Sequence, residues 1–145
     1  FVINKFSYSV KTQQIAAKKI YAIDSGLVHQ VGFSFSKDQG KLLENLVYLH
    51  LRRETNRIYY YQTQAGHEVD FYLPERNHAL QVCLEFSRPE TRRRELRSLE
   101  EISEEIEAPL QRTLITLRDK ETIEQEGGKI EVIPIYEWLL KKPAV

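Results

Sequence analysis

The stretch R-I-Y-Y-Y-Q-T-Q-A-G-H-E-V-D-F-Y-L-P-E-R-N-H-A-L-Q-V-C-L-E-F, from Arg57 to Phe86, decides the fold. It divides into three strand-like runs, Arg57–Thr63, His67–Leu73 and His78–Phe86, separated by turn residues. Successive side chains of a strand point to opposite faces. In the second run this groups Val69, Phe71 and Leu73 against Glu68, Asp70 and Tyr72. In the third it groups Leu80, Val82, Leu84 and Phe86 against Ala79, Gln81, Cys83 and Glu85. Each run therefore has an apolar side for a core and a side that carries functional groups. Paired as neighbours, the two runs bring Asp70 beside Gln81, with Cys83 one pleat along.

Working outward, two helices bracket these strands. Ser36 and Gln39 have capping-box spacing ahead of a helix expected over Lys37–Glu54, with Leu43, Leu46, Val47, His50 and Leu51 near one face. Glu44 falls at the rim of that stripe, either solvated or aimed at something. Ser87 and Glu90 repeat the capping-box spacing, with Pro89 in the first turn. The helix expected over Pro89–Ile106 buries Leu96, Leu99, Ile102 and Ile106. Arg92, Arg93, Arg94 and Arg97 crowd its first turns and glutamates crowd its last, which opposes the helix dipole. These arginines either pair within a solvated face or meet a phosphate or an acidic partner.

Beyond it, Arg112–Arg118 reads as a buried strand, and Gly127-Gly128 joins a hairpin of Thr122–Glu126 and Lys129–Ile133. Pro134 ends that strand, and Ile135–Lys141 forms a short terminal helix. Lys19–Ile23 reads as a short strand, and Asp24 or Ser25 is placed to cap a short helix after it. Residues Phe1–Lys18 show no clear period and read as a linker or arm entering a domain that spans 19–145.

A chain of 145 residues, 41% hydrophobic and 29% charged, is long and apolar enough for one globular domain. Lys+Arg and Asp+Glu both number 21, so any case for nucleic acid has to be local. Cys83 is the only cysteine, which excludes an internal disulfide or a cysteine-based zinc cluster and fits a reducing cytoplasm. No apolar run reaches membrane-spanning length. Phosphate-loop, zinc-protease and serine-hydrolase motifs are missing, and the four histidines lack metal-ligand spacing. The absence of methionine, with Phe1 at the start, reads as a piece of a longer protein.

The words K-I-Y-A-I-D-S-G-L (Lys19–Leu27), G-K-L-L-E-N-L-V (Gly40–Val47), E-V-D-F (Glu68–Phe71) and I-P-I-Y-E-W-L-L (Ile133–Leu140) resemble domain of unknown function 4143. That domain is the C-terminal part of prokaryotic AAA-type ATPases. The order helix, strand, strand, strand, helix, strand resembles the PD-(D/E)XK, restriction-endonuclease-like superfamily. The resemblance implies an α/β fold with a central mixed sheet flanked by helices, and an ATPase module and winged-helix segment upstream. It maps the nuclease site onto Glu44, Asp70, Gln81 and Cys83, with Cys83 where the family carries lysine. Glu44, Asp70 and Gln81 are then the implied ligands of a magnesium ion. A thiol supplies neither the cation that stabilises a phosphate nor a good magnesium ligand.

The expectation is accordingly a nucleic-acid-handling module with a degenerate site, DNA being met by Arg92, Arg93, Arg94 and Arg97. Two alternatives stand beside it. One is a metal-dependent endonuclease using Glu44, Asp70 and Gln81 with a displaced cation. The other is a protein-interaction or regulatory domain that docks on its own ATPase module.

Overall fold

The computed structural model describes residues 1–24, 26, 39–125 and 127–141. Its centre is a six-stranded mixed sheet. The strands are β3 (Tyr59–Gln62), β4 (Glu68–Leu73), β5 (His78–Cys83), β6 (Gln111–Thr116), β7 (Glu121–Gln125) and β8 (Gly128–Pro134), in the spatial order β3-β4-β5-β6-β8-β7. Two hairpins make the β3–β4 and β4–β5 pairs antiparallel. The β5–β6 pair is parallel, so the connection between them must cross over, and α3 (Pro89–Glu105) supplies that crossover. The β6–β8 pair is also parallel, and the Gly127-Gly128 hairpin lays β7 antiparallel on the edge. Both glycines sit at positive φ, +87° and +106°, which a side chain would strain.

Two cores result from the alternation along the strands. Leu80, Ile115 and Ile133 pack with Leu43, Val47, Tyr48 and Leu51 of α2 (Gln39–Glu54) and with Trp138 of α4 (Ile135–Leu140). Ala79, Cys83, Leu114 and Val132, one residue out of phase, pack with Leu99 and Ile102 of α3 and with Ile106. The sheet is thus covered on both faces, as a parallel centre requires.

Several expectations shift in detail. Leu46 is exposed rather than in the α2 stripe, and Tyr48 takes its place. Tyr48 is drawn in by a stacked pair with Tyr21, ring centroids 4.3 Å apart. The caps expected at Ser25 and Ser36 lie outside the described residues. The capping box expected at Ser87 does not form: the N-cap is Arg88, with no side-chain cap bond, although Pro89 does open the helix.

The stretch read as an arm contains β1 (Val2–Ile3) and α1 (Val10–Ile15). Strand β1 pairs antiparallel with β2 (Lys19–Ile20), setting Ile3 opposite Lys19. Ile3 is buried, and Phe6 takes a backbone bond to Tyr60 of β3. The consequence is that β2 lies against the sheet next to β4.

Candidate functional site

The site begins with a break in period two. Tyr59 pairs with Tyr72 and Tyr61 with Val69, so Tyr60 alone faces two residues of β4, Asp70 and Phe71. One extra residue is a β-bulge, and a bulge re-aims the side chains on either side of it. Val69 therefore joins Tyr72 in the α3-side core, while Phe71 and Leu73 join the α2-side core. Strict alternation would have kept Val69 with Phe71 and Leu73.

At the same point β4 parts from β5. Their ladder runs Leu73↔His78, Tyr72↔Ala79, Phe71↔Leu80 and stops. Two side chains then replace the main-chain partners. Asp70 N–H donates to Gln81 Oε1 at 3.0 Å, and Val82 N–H donates to Asp70 Oδ2 at 3.0 Å. Strand β5 meanwhile stays paired with β6 as far as Cys83↔Thr116. The parted strands and the starts of α2 and α3 enclose a cleft of about 600 Å³, lined by Glu44, Glu68, Asp70, Gln81, Cys83 and Glu95 among others.

All four residues predicted for the site, Glu44, Asp70, Gln81 and Cys83, line this cleft. They do not form one ligand set. Asp70 and Gln81 are neighbours but do not share one sheet face as expected: the bulge turns Asp70 to the α2 side, where Glu44 lies, while Gln81 stays on the α3 side. Gln81 turns towards α3, where its Nε2 donates to Glu95 Oε2 at 2.6 Å. Both ends of its amide are engaged. Asp70 instead meets Lys19.

Lys19 reads in the sequence only as part of a short strand, and it is the centre of the site. Its Nζ lies 2.9 Å from Asp70 Oδ1, 2.9 Å from Glu44 Oε1 and 2.8 Å from Glu68 Oε1. Tyr21 O–H adds a 2.6 Å bond to the same Glu44 oxygen. Asn45, one residue on, holds the backbone of Ala22 through both its side-chain atoms. Helix α2 and β2 are therefore stitched together directly above the bulge. Burial works against the charge on Lys19, but Asp70, Glu44 and Glu68 outweigh it and hold its pKa above 10.5. Burial pushes the Asp70 carboxyl up to about 7, against the pull of Lys19 and of the Val82 N–H. The signal for Lys19 in the sequence is weak: a lysine at the start of a two-residue strand, 51 positions from its partner.

Cys83 is 4% exposed and packs in the α3-side core with Phe86 and Leu99. Burial first, then the nearby Glu95, pushes its thiol up to about 12, so no thiolate forms near neutral pH. Glu95 is itself buried, and Arg94 Nη2 lies 2.6 Å from its Oε1.

The arginines expected to meet DNA divide. Arg92 forms a two-pronged pair with Glu121, Nη2 to Oε2 being 2.8 Å, and its guanidinium lies over the Phe86 ring. Arg94 is engaged by Glu95, while Arg93 and Arg97 are exposed on α3.

Magnesium is the ion that the resemblance implies, and the donors present do not fit it. The ion needs near-octahedral oxygen ligands. The Gln81 oxygen is bonded to the backbone, Cys83 offers sulfur, and Glu44 and Asp70 are gathered on an ammonium. Among the described residues, no group of three or more His, Cys, Asp or Glu side chains is arranged to hold a metal ion.

Comparison with known proteins settles the family. The model of a domain of unknown function, DUF4143, matches residues 39–138. The chain belongs to this family. The match takes in α2, the whole six-stranded sheet and α3, and therefore every residue that lines the cleft, while Lys19 on β2 lies outside it. The chain is also similar to the uncharacterised protein MJ1544 of Methanocaldococcus jannaschii, 34% identical over 149 residues. That alignment covers 97% of this chain and 33% of the relative, so the DUF4143 chain spans about a third of the protein it matches. No solved structure matches. No helix among the described residues is long and apolar enough to cross a membrane.

Proposed function

We propose that this domain is a nucleic-acid-handling module on a restriction-endonuclease-like scaffold, in which Lys19 stands where a metal ion would otherwise neutralise the acids. The observation that carries the reading is the single ammonium within 3 Å of three carboxylates. The helix–strand–strand–strand–helix–strand order of α2, β3, β4, β5, α3 and β6 supports the scaffold, as does a cleft opened where the second and third of these strands part. A lysine cannot activate water as a bound cation does. With Gln81 and Cys83 at the other two positions, the domain holds a phosphate backbone without cutting it. The longer relative is consistent with a DUF4143 domain serving an ATPase module elsewhere in the same polypeptide.

The test is the salt dependence of oligonucleotide affinity. Phosphate contacts release counterions, so log K falls linearly with log salt. We expect such a slope for single-stranded or duplex DNA, reduced by R93A/R97A, and no nicking of plasmid DNA with magnesium or manganese. Affinity that ignores salt, or nicking that is lost in D70A, overturns the proposal.

One observation favours a second reading, a regulatory domain that docks on the ATPase. Arg92 and Arg94 already have carboxylate partners on the domain itself, which leaves α3 a face of mixed sign suited to a complementary protein surface. Loss of ATPase regulation on deleting the domain, without any loss of DNA affinity, would select it.

A further inference from the structure

The β3–β4 turn carries a second cluster that the nuclease resemblance does not include. Thr63 N–H donates to His67 O at 2.8 Å, and His67 N–H donates to Thr63 Oγ1 at 3.0 Å, closing a tight loop. Glu101 of α3 anchors it from below. Its two oxygens lie 2.9 Å from His67 Nδ1, and Thr63 O–H donates to one of them at 2.6 Å. Glu105, one turn on, accepts from Gln64 N–H and from Tyr61 O–H. Four residues of the turn and strand are thus fixed by two glutamates of one helix.

This arrangement fixes the histidine's chemistry. A carboxylate on Nδ1 makes that nitrogen the proton-bearing one in the neutral ring and leaves Nε2 as the nitrogen available to a ligand. His67 lines the cleft next to Glu68, and its side chain keeps 36% of its surface exposed. Lys41 of α2 and Arg94 of α3 line the same cleft from its other two walls. Lys41, His67 and Arg94, the last held by Glu95, therefore stand around an acidic floor, a pattern that suits an anion bridging the rim better than one entering the floor.

Building on the nucleic-acid reading, we infer that His67, oriented by Glu101, is the cleft's histidine contact to a phosphodiester of the bound strand. The neutral imidazole accepts at Nε2 and meets a phosphate oxygen poorly. The imidazolium donates there and adds a charge-assisted bond. Of the charged groups near it, Glu101 of α3 is in contact, Glu105 of α3 holds the neighbouring Gln64, Arg97 of α3 acts on Glu101, and Glu68 of β4 with Lys41 and Glu44 of α2 line the same cleft. Glu101 supports the imidazolium at close range, and Glu68 is engaged by Lys19.

The experiment is fluorescence anisotropy of a labelled single-stranded oligonucleotide at fixed low salt, from pH 5 to pH 8.5. The wild-type chain, H67Q and E101Q are compared, with folding checked by circular dichroism. Wild-type affinity falls about tenfold from pH 5 to pH 8.5. H67Q shows no such step. E101Q, which loses the carboxylate that orients the ring through Nδ1, binds more weakly than wild type at the low-pH end. Parallel pH profiles for wild type and H67Q overturn the inference while leaving the nucleic-acid reading standing. Absence of oligonucleotide binding at every pH overturns both.

Discussion

Replacing Lys19 with methionine removes the ammonium and keeps most of the side-chain volume. Among the described residues, the three carboxylates are then left with one tyrosine hydroxyl and one backbone N–H. Breaking a buried pair by removing one partner costs about 3–5 kcal/mol. Lys19 and Glu44 retain about a fifth of their side-chain exposure, and Glu68 nearly half, so solvent screens part of the effect. A loss of about 3 kcal/mol at pH 7 is the expected result. The pH dependence comes from the directions of the shifts. Lys19 has its pKa raised above 10.5, so it stays charged at every pH below 10.5, and the pH dependence of the difference comes from its carboxylate partners. Asp70 keeps its proton to about pH 7 in the folded chain and to 3.8 when unfolded, so its burial lowers stability as pH rises across that window. Without Lys19 its pKa climbs further, and the loss continues above pH 7. Urea unfolding of wild type and K19M from pH 4 to pH 9 reads this directly. The difference between them should be small at pH 4 and grow to its full size by pH 8. A difference below about 0.5 kcal/mol at pH 8, the range of ordinary surface substitutions, would show that the ammonium does not hold the acids together.

Neighbouring contacts give three further expected outcomes. Gln81→Leu removes the partner of the Asp70 N–H and leaves Glu95 with Arg94 alone, at a cost of about 2–3 kcal/mol read by urea unfolding. A stability equal to wild type would refute the bridging role. Cys83 should react with a thiol reagent at neutral pH only at the rate of global unfolding, and fast labelling in the native state would contradict its burial. His78, its Nε2 2.9 Å from Thr113 Oγ1, has its pKa lowered to about 4 by burial and by Arg76. It stays neutral in the folded chain while the unfolded chain takes a proton near pH 6.5, so stability is lost as pH falls from 6.5 to 4, by on the order of 3 kcal/mol. H78Q should lack that share of the acid destabilisation, and identical profiles for the two chains would exclude it.

The architecture was legible because its signals are local. Alternation in β4 and β5, the Pro89 helix start and the Gly127-Gly128 hairpin each depend on a few adjacent residues. Boundaries moved by up to three residues, as with β5 ending at Cys83 instead of Phe86 and β6 at Gln111–Thr116 instead of Arg112–Arg118. The site was only half legible. Its residues could be placed on neighbouring strands, but a bulge at Asp70 leaves no mark in an E-V-D-F word, and one inserted residue reverses a face. Lys19 was invisible for a different reason. Its role comes from β2 crossing near β4, which rests on a two-residue pairing with β1 that no periodicity announces. Burial of Glu95 was hidden likewise, since a glutamate beside an arginine on a charged helix reads as solvated.

The most direct test of the central claim is calorimetric titration of the wild-type chain with manganese, followed by plasmid incubation with the same ion. The account predicts no stoichiometric binding at the cleft and no nicking, because the Lys19 ammonium already occupies the point where Glu44, Glu68 and Asp70 converge. One ion bound per chain, together with nicking, both abolished by D70A, would contradict it and identify the cleft as a working nuclease site.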